Sequence, residues 1–206
     1  MRGKPTCARA AAAREDRPSE QPAPDGFQAS IAPRSCLARR FCQNATLMSK
    51  ALPARPRVPA KAKSAFALVV SRYNSEYTSA LEQNAHEELL AIDPNATVEV
   101  FDAPGSFEIP LIVKLLAERR QYHAILALGI ILKGETAHAD LIAASITNSL
   151  QQIALSHGVP VIHEVLLLNN EDQARARCLE PELNRGREAA RAAAAVAHAV
   201  REIITG

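Results

Sequence analysis

Phe66-Ala67-Leu68-Val69-Val70 is an unbroken apolar run that ends abruptly at Ser71-Arg72-Tyr73-Asn74. A run that short and that apolar predicts a strand buried on both faces. Leu81, Ala85, Leu89 and Ile92 then recur at helical spacing, and Asp93-Pro94-Asn95 ends the helix they predict. Thr97 to Phe101 predicts a second strand, Ala103-Pro104-Gly105-Ser106 a turn, and Glu108 to Arg119 a second helix with Pro110 in its tolerated first turn. The third strand is the run from Ala124 to Leu132. Its helix carries Ile142, Ile146, Leu150 and Ile153 on one stripe and stops at Gly158, with Pro160 beyond. Val159 to Leu168 predicts a fourth strand and Asn170 to Cys178 a short helix. A long alanine-rich helix, with Ala189, Ala193, Val196, Val200 and Ile203 on one face, closes the chain. Strand–helix units in series imply an α/β fold with a four-stranded parallel sheet, right-handed crossovers and helices on both faces.

Ligands of such sheets sit beyond the carboxyl ends of the strands. The turns at Ser71–Asn74, Ala103–Glu108 and Gly134–His138, and the one after Val165, are therefore where chemistry is expected. Gly134-Glu135-Thr136-Ala137-His138 is the most informative of them. A glycine permits a tight turn, the Thr136 hydroxyl can cap the new helix, and free N–H groups there face outward with the positive end of the helix dipole. That is an anion site with a histidine, a group that exchanges protons near neutral pH, on its first turn. Tyr73 in its loop either stacks on a planar ligand or packs on its own helix. Ser106 and Glu108 either bond to the edge of a heterocycle or simply start a helix. His163 falls within an apolar strand, where core packing with one satisfied nitrogen is the default. Arg177 and Arg185 read singly as surface charges, yet planar bidentate donors suit a phosphate.

Composition divides the chain near residue 60. Up to Ala60 stand eight of the thirteen prolines, Cys7, Cys36 and Cys42, and eleven Lys/Arg against four Asp/Glu. The rest has thirteen Lys/Arg against eighteen Asp/Glu, so the formal net charge of +2 hides a basic extension on a mildly acidic body. Residues 1–60 are expected to be a disordered extension, either part of the working protein or not, since Met48 offers a second start. The extension lacks the aromatic interleaving of a nucleic-acid binder, and Glu15, Asp16, Glu20 and Asp25 do not suit a transit peptide. No apolar run approaches the ~20 residues of a membrane span, and no secretory signal is evident. With Cys178 the only cysteine of residues 61–206, neither a disulfide framework nor a zinc site is expected, and a cytoplasmic location fits.

Ser71-Arg72-Tyr73-Asn74, Pro104-Gly105-Ser106-Phe107-Glu108-Ile109-Pro110, Lys133-Gly134-Glu135-Thr136-Ala137-His138, Gly158-Val159-Pro160-Val161-Ile162 and Arg177 through Asn184-Arg185-Gly186 occur in this order. Together they resemble the 6,7-dimethyl-8-ribityllumazine synthase family over roughly residues 64 to 205. The resemblance implies a flavodoxin-like three-layer sandwich. It also implies condensation of 5-amino-6-(D-ribitylamino)uracil with 3,4-dihydroxy-2-butanone 4-phosphate, the penultimate step of riboflavin biosynthesis, with no cofactor and no metal. Carried over residue by residue, it gives the uracil substrate Tyr73, Ser106, Phe107, Glu108, Ile130, Ile131, Leu132 and His163. It gives the phosphate Glu135, Thr136 and Arg177, makes His138 the proton donor, and puts Arg185 at a supporting position usually filled by lysine. It further implies a homopentamer or a multiple of one, with Tyr73, Glu108 and His138 facing Arg177 of the next subunit.

The chain departs from the family's pattern in places. His163 replaces a common phenylalanine, Ala139 stands where an aromatic often follows the catalytic histidine, and Tyr73 adds a hydroxyl to the stacking ring. Cys178-Leu179-Glu180-Pro181-Glu182-Leu183 replaces a glycine-containing turn of members that build sixty-subunit capsids. Two other classes compete with the enzyme. One is a shell or storage protein that binds lumazine or flavin without catalysis, against which the His138/Arg177 pair argues. The other is a generic phosphate-binding carrier domain, which leaves the ordered motifs unexplained.

Overall fold

The computed structural model describes residues 52–57 and 63–206. The other residues of the proline-rich extension, with Cys7, Cys36, Cys42, Met48 and the boundary at residue 60, lie outside the described residues. Strand β1 (Ala65–Ser71) is followed by α1 (Ser75–Ile92), β2 (Thr97–Ala103), α2 (Ile109–Arg119), β3 (Ala124–Leu132), α3 (His138–His157), β4 (Val161–Leu168), α4 (Glu171–Cys178) and α5 (Arg185–Thr205). All four strands are parallel, in the order β2-β1-β3-β4. The result is a flavodoxin-like three-layer sandwich. The chain runs outward from β1 to β2, then crosses back to β3 and on to β4. Consecutive crossovers thus diverge between β1 and β3, which opens a crevice outside their carboxyl ends.

The central strands are apolar because both of their faces are covered. On one face Phe66, Leu68, Val70, Leu126 and Leu128 pack against Leu81 and Leu89 of α1 and the alanines of α5. On the other, Ala67, Val69, Ile125 and Ala127 meet Val113 of α2 and Ile146 and Leu150 of α3. Alanine suits α5 because that helix lies almost backbone-on-backbone against α1. A Cβ added at Gly186 would stand 2.5 Å from the Leu81 carbonyl oxygen. Polar groups tie the same seam. The Glu88 carboxylate, 4% exposed, accepts from Arg191 Nε at 2.7 Å and from Arg55 at 2.7 and 2.9 Å. Arg55 in particular, opposed by burial, holds that carboxyl down at about 2. Arg191 also donates to the Pro53 carbonyl, so residues 52–57 are bound to α1 and α5.

Several element boundaries differ from expectation by a residue or two. β4 starts at Val161 instead of Val159, because Pro160 has no N–H to donate to the ladder; only its carbonyl joins, accepting from Ile125 N at 2.9 Å. β2 continues past Phe101, with Asp102 and Ala103 in register with Val70 and Ser71. α2 begins at Ile109 after one tight turn, Ser106–Glu108, that takes the place of its first residue.

Candidate active site

A cleft of about 300 Å³ opens beyond the carboxyl ends of β1 and β3. Tyr73, Ser106, Phe107, Glu108, Ile130, Ile131 and Leu132 line it. The uracil-site residues expected from the sequence, His163 excepted, are thus brought into one cavity. Ile130 to Leu132 end β3, where the sheet stops and their backbone meets the opening. Tyr73 is 72% exposed and Phe107 59%, two aromatic rings at the rim with their surfaces unspent. Such exposure is the mark of a surface made to be covered. The Ser106 side chain is the opposite case. Its Oγ is buried and is the single buried side-chain polar atom without a partner among the described residues. Gly129 leaves it room, since a Cβ there would lie 2.8 Å from that oxygen. An unpaired buried hydroxyl costs about 1–3 kcal/mol, so a ligand that bonds to it recovers that energy.

The turn before α3 lies along the chain from Leu132. Lys133 anchors it by donating its N–H to the Leu168 carbonyl at 2.8 Å and pairing its Nζ with Asp140 at 2.8 Å. Gly134 does not take the left-handed conformation, and a Cβ there would meet nothing within 4 Å. What this glycine leaves is open space before the helix start. The expected Thr136 cap is weak: its hydroxyl accepts from His138 N only at 3.5 Å, and Ala137 holds the cap position without a side-chain bond. Among the described residues nothing accepts the N–H groups of Gly134, Glu135, Thr136 or Ala137. His138 is exposed at the first position of α3. Ile142, four residues on and hence on the same helix face, lines the cleft.

Arg177, Arg185 and His163 stand apart from that lining. Arg177, half-buried in α4, has no carboxylate within 4 Å among the described residues. Arg185 grips Glu164 with two bonds, 3.1 and 3.0 Å, and Glu188 with a third at 2.7 Å. Its charge is committed to holding α5 on β4. Burial pushes the Glu164 carboxyl up to about 7, against the pull of that guanidinium. His163 sits half-buried on the edge strand β4, with Nε2 2.8 Å from Thr147 Oγ1. Thr147 bonds in turn to the Ala143 carbonyl, and His163 Nδ1 accepts from Val165 N at 3.3 Å. Burial lowers its pKa, so the neutral ring with its proton on Nε2 is the favoured form.

Residues 63–201 match the family described as 6,7-dimethyl-8-ribityllumazine synthase. The chain belongs to that family. The 6,7-dimethyl-8-ribityllumazine synthase of Thermococcus onnurineus (strain NA1) is 40% identical to it over 139 residues, which is 66% of this chain and 89% of that relative.

Three residues at this lumazine synthase cleft escaped the sequence reading of the site. Asn74 lines it in a left-handed conformation, φ 58°, and its Nδ2 donates to the Ile130 carbonyl at 3.1 Å, stitching the β1 turn to the end of β3. An asparagine between a strand and a helix was the available signal, since it tolerates that conformation. Gly105 lies in a turn where chemistry was expected, but it was given no role of its own there. Ile142 was assigned to the core stripe of α3, but it is the first member of that stripe and overhangs the end of the sheet. Among the described residues no three His, Cys, Asp or Glu side chains gather where they could share a metal ion, and no helix is long and apolar enough to cross a membrane.

Proposed function

We propose that the cleft between β1 and β3 binds 5-amino-6-(D-ribitylamino)uracil and that the turn before α3 binds the phosphate of 3,4-dihydroxy-2-butanone 4-phosphate. The protein is a transferase of riboflavin biosynthesis that condenses the two to 6,7-dimethyl-8-(D-ribityl)lumazine, with release of phosphate and water. The observation that carries the site assignment is the single cavity that gathers Tyr73, Ser106–Glu108 and Ile130–Leu132 around an unpartnered buried hydroxyl. Tyr73 stacks on the pyrimidine, Ser106 bonds to its polar edge, and Phe107 and Glu108 hold the ring and the ribityl chain.

Open N–H groups at Glu135 and Thr136, backed by the positive end of a long helix, receive the phosphate. Arg177 supplies the counter-charge. His138 gives a proton to the ketone oxygen as the aryl amine attacks the carbonyl carbon, and that oxygen leaves as water. Loss of phosphate leaves an enol that becomes a carbonyl at the neighbouring carbon; the ribitylamino nitrogen attacks it, and closure of the second ring expels a second water. Amine, ketone and leaving group supply every atom, so the reaction needs no cofactor. Arg177 and His163 lie on elements that do not line their own protomer's cleft, which supports a homopentamer, or a multiple of one, with sites shared between neighbours. A cytoplasmic location accords with the free, buried Cys178.

The test is a condensation assay on the full chain with both substrates, an enzyme-free blank for the spontaneous reaction, and the His138→Ala variant. Lumazine should form well above the blank, and the variant should be slower by about 10²-fold or more without falling to zero, because alignment of the two substrates survives. Unchanged kinetics in the variant would remove His138 from the mechanism. A rate equal to the blank would make the protein a binding shell.

A further inference from the structure

At the far end of the sheet, before the amino ends of β3 and β4, lies a second cavity of about 310 Å³. Arg120, His123, His157 and Arg201 line it with apolar side chains that include Val159 and Ile204, and no carboxylate does. The acids near it are engaged elsewhere: Glu118 with Lys114 at 2.5 Å, Glu202 with His198 at 3.5 Å, and Glu99 with the Tyr122 hydroxyl at 2.9 Å. Among the described residues neither Arg120 nor Arg201 has a carboxylate within 4 Å.

Arg120 is held there under strain. It ends α2 in the left-handed conformation, φ 53° and ψ 30°, a position that glycine ordinarily fills. Backbone strain of this kind points from the outlier to a use for the side chain. His123 adds a donor. Its Nδ1 accepts from Ala65 N at 2.9 Å, which leaves the proton of the neutral ring on Nε2. Burial and the neighbouring Arg201 charge both lower the pKa of this imidazole.

Charge narrows the ligand. α2, α3 and α5 all end at this cavity, and each carboxyl end contributes roughly half a negative charge. Against that opposing field the two guanidinium groups suit a single negative charge better than two. We propose that this cavity binds a small monoanionic carboxylate, its head between Arg120 and Arg201 and a short apolar body against Val159 and Ile204. An inorganic anion would leave that apolar wall unused.

Hexanoate is the probe, titrated into the full chain while the His123 and His138 imidazole resonances are followed. His123 should shift saturably and His138 should not, which separates this cavity from the phosphate turn. Inorganic phosphate and hexanol should each bind His123's surroundings at least tenfold more weakly than hexanoate. Arg120→Gly, which relaxes the backbone and so keeps the fold, should weaken hexanoate at least tenfold while lumazine formation is unchanged; Arg201→Gln should weaken it likewise. No saturable shift at His123 in the millimolar range overturns the proposal, as does binding indifferent to Arg120→Gly. Loss of oligomers in Ile204→Glu, with no hexanoate binding to the unaltered chain, overturns it in favour of an interface between copies.

Discussion

The seam between α1 and α5 and the cleft beyond β1 and β3 are built from the same kinds of residue and treat polar groups in opposite ways. In the seam, buried Glu88 has two arginines, and on the other side of α5 Glu164 of β4 has two bonds from Arg185. Asn184, also buried, accepts from Arg187 N and donates to the carbonyls of Cys178 and Glu180. At the cleft, Ser106 Oγ has no partner among the described residues, and in the exposed turn before α3 the N–H groups of Gly134 to Ala137 have none there either. A folded chain satisfies its buried polar groups almost everywhere. The exception at the cleft, the Ser106 hydroxyl, is what supports the proposal that a ligand completes it. The same contrast separates two arginines near in sequence, Arg185 spent on structure and Arg177 left free.

The sharpest way to break that comparison is to remove each arginine in turn. Arg177→Ala should lower kcat/KM for the phosphate-bearing substrate by about 10²-fold, the worth of a charge-assisted contact, with the melting temperature unchanged. A defect confined to the uracil substrate would contradict its assignment. Gly186→Ala should strike only the seam. The Cβ placed 2.5 Å from the Leu81 carbonyl forces α5 away from α1, at about 1–3 kcal/mol in a denaturant titration. A variant as stable as the parent would show that the helices do not meet as described.

Smaller effects sharpen the picture. The Glu88 carboxyl, at about 2 in the folded protein against 4.5 without partners, contributes stability that is fully present above pH 4.5 and lost as pH falls toward 2. Glu88→Gln should flatten that acid limb of a stability–pH curve; an unaltered limb would place its origin in other groups. Ser106→Ala should have the smallest effect on stability, about 1 kcal/mol at the low end of that hydroxyl's cost and stabilising in sign, because it removes a buried hydroxyl that bonds to nothing. KM for the uracil substrate should rise in the same variant, and a clear loss of stability would mean that the hydroxyl has a partner in the free protein.

The fold could be read from the chain because its strands are buried on both faces and its helices carry continuous apolar stripes. Phe66–Val70 and Ala124–Leu132 had no other reading as consistent with the helices around them. Boundaries were less legible where one residue decides them, as Pro160 does at β4. Within the site, residue types pointed to Tyr73, Ser106 and Glu108, and the family resemblance added Phe107 and Ile130–Leu132; all of them line one cleft. What escaped notice depends on a conformation or on a distant partner. Asn74 matters through its left-handed φ and its bond to Ile130, and Arg55 through Glu88 far along the chain; Arg185 was named, but its pairing with Glu164 was not. His163 is bonded at both ring nitrogens, to Thr147 on α3 and to Val165 N, where one satisfied nitrogen was expected. No local pattern encodes such pairs.

The close approach of Gly129 to Ser106 has an evolutionary corollary. The two positions occupy one shared volume, hemmed further by Ile109 and Val165, each with a side-chain carbon 3.3 Å from where a Gly129 Cβ would stand. The order of change is constrained: an alanine at 129 becomes admissible only after 106 has shrunk, whereas 106 can shrink while 129 stays glycine. Descendants of this chain should therefore keep Gly129 wherever they keep Ser106, and a library meant to reshape the pocket gains new residues at 129 only by randomising both codons together.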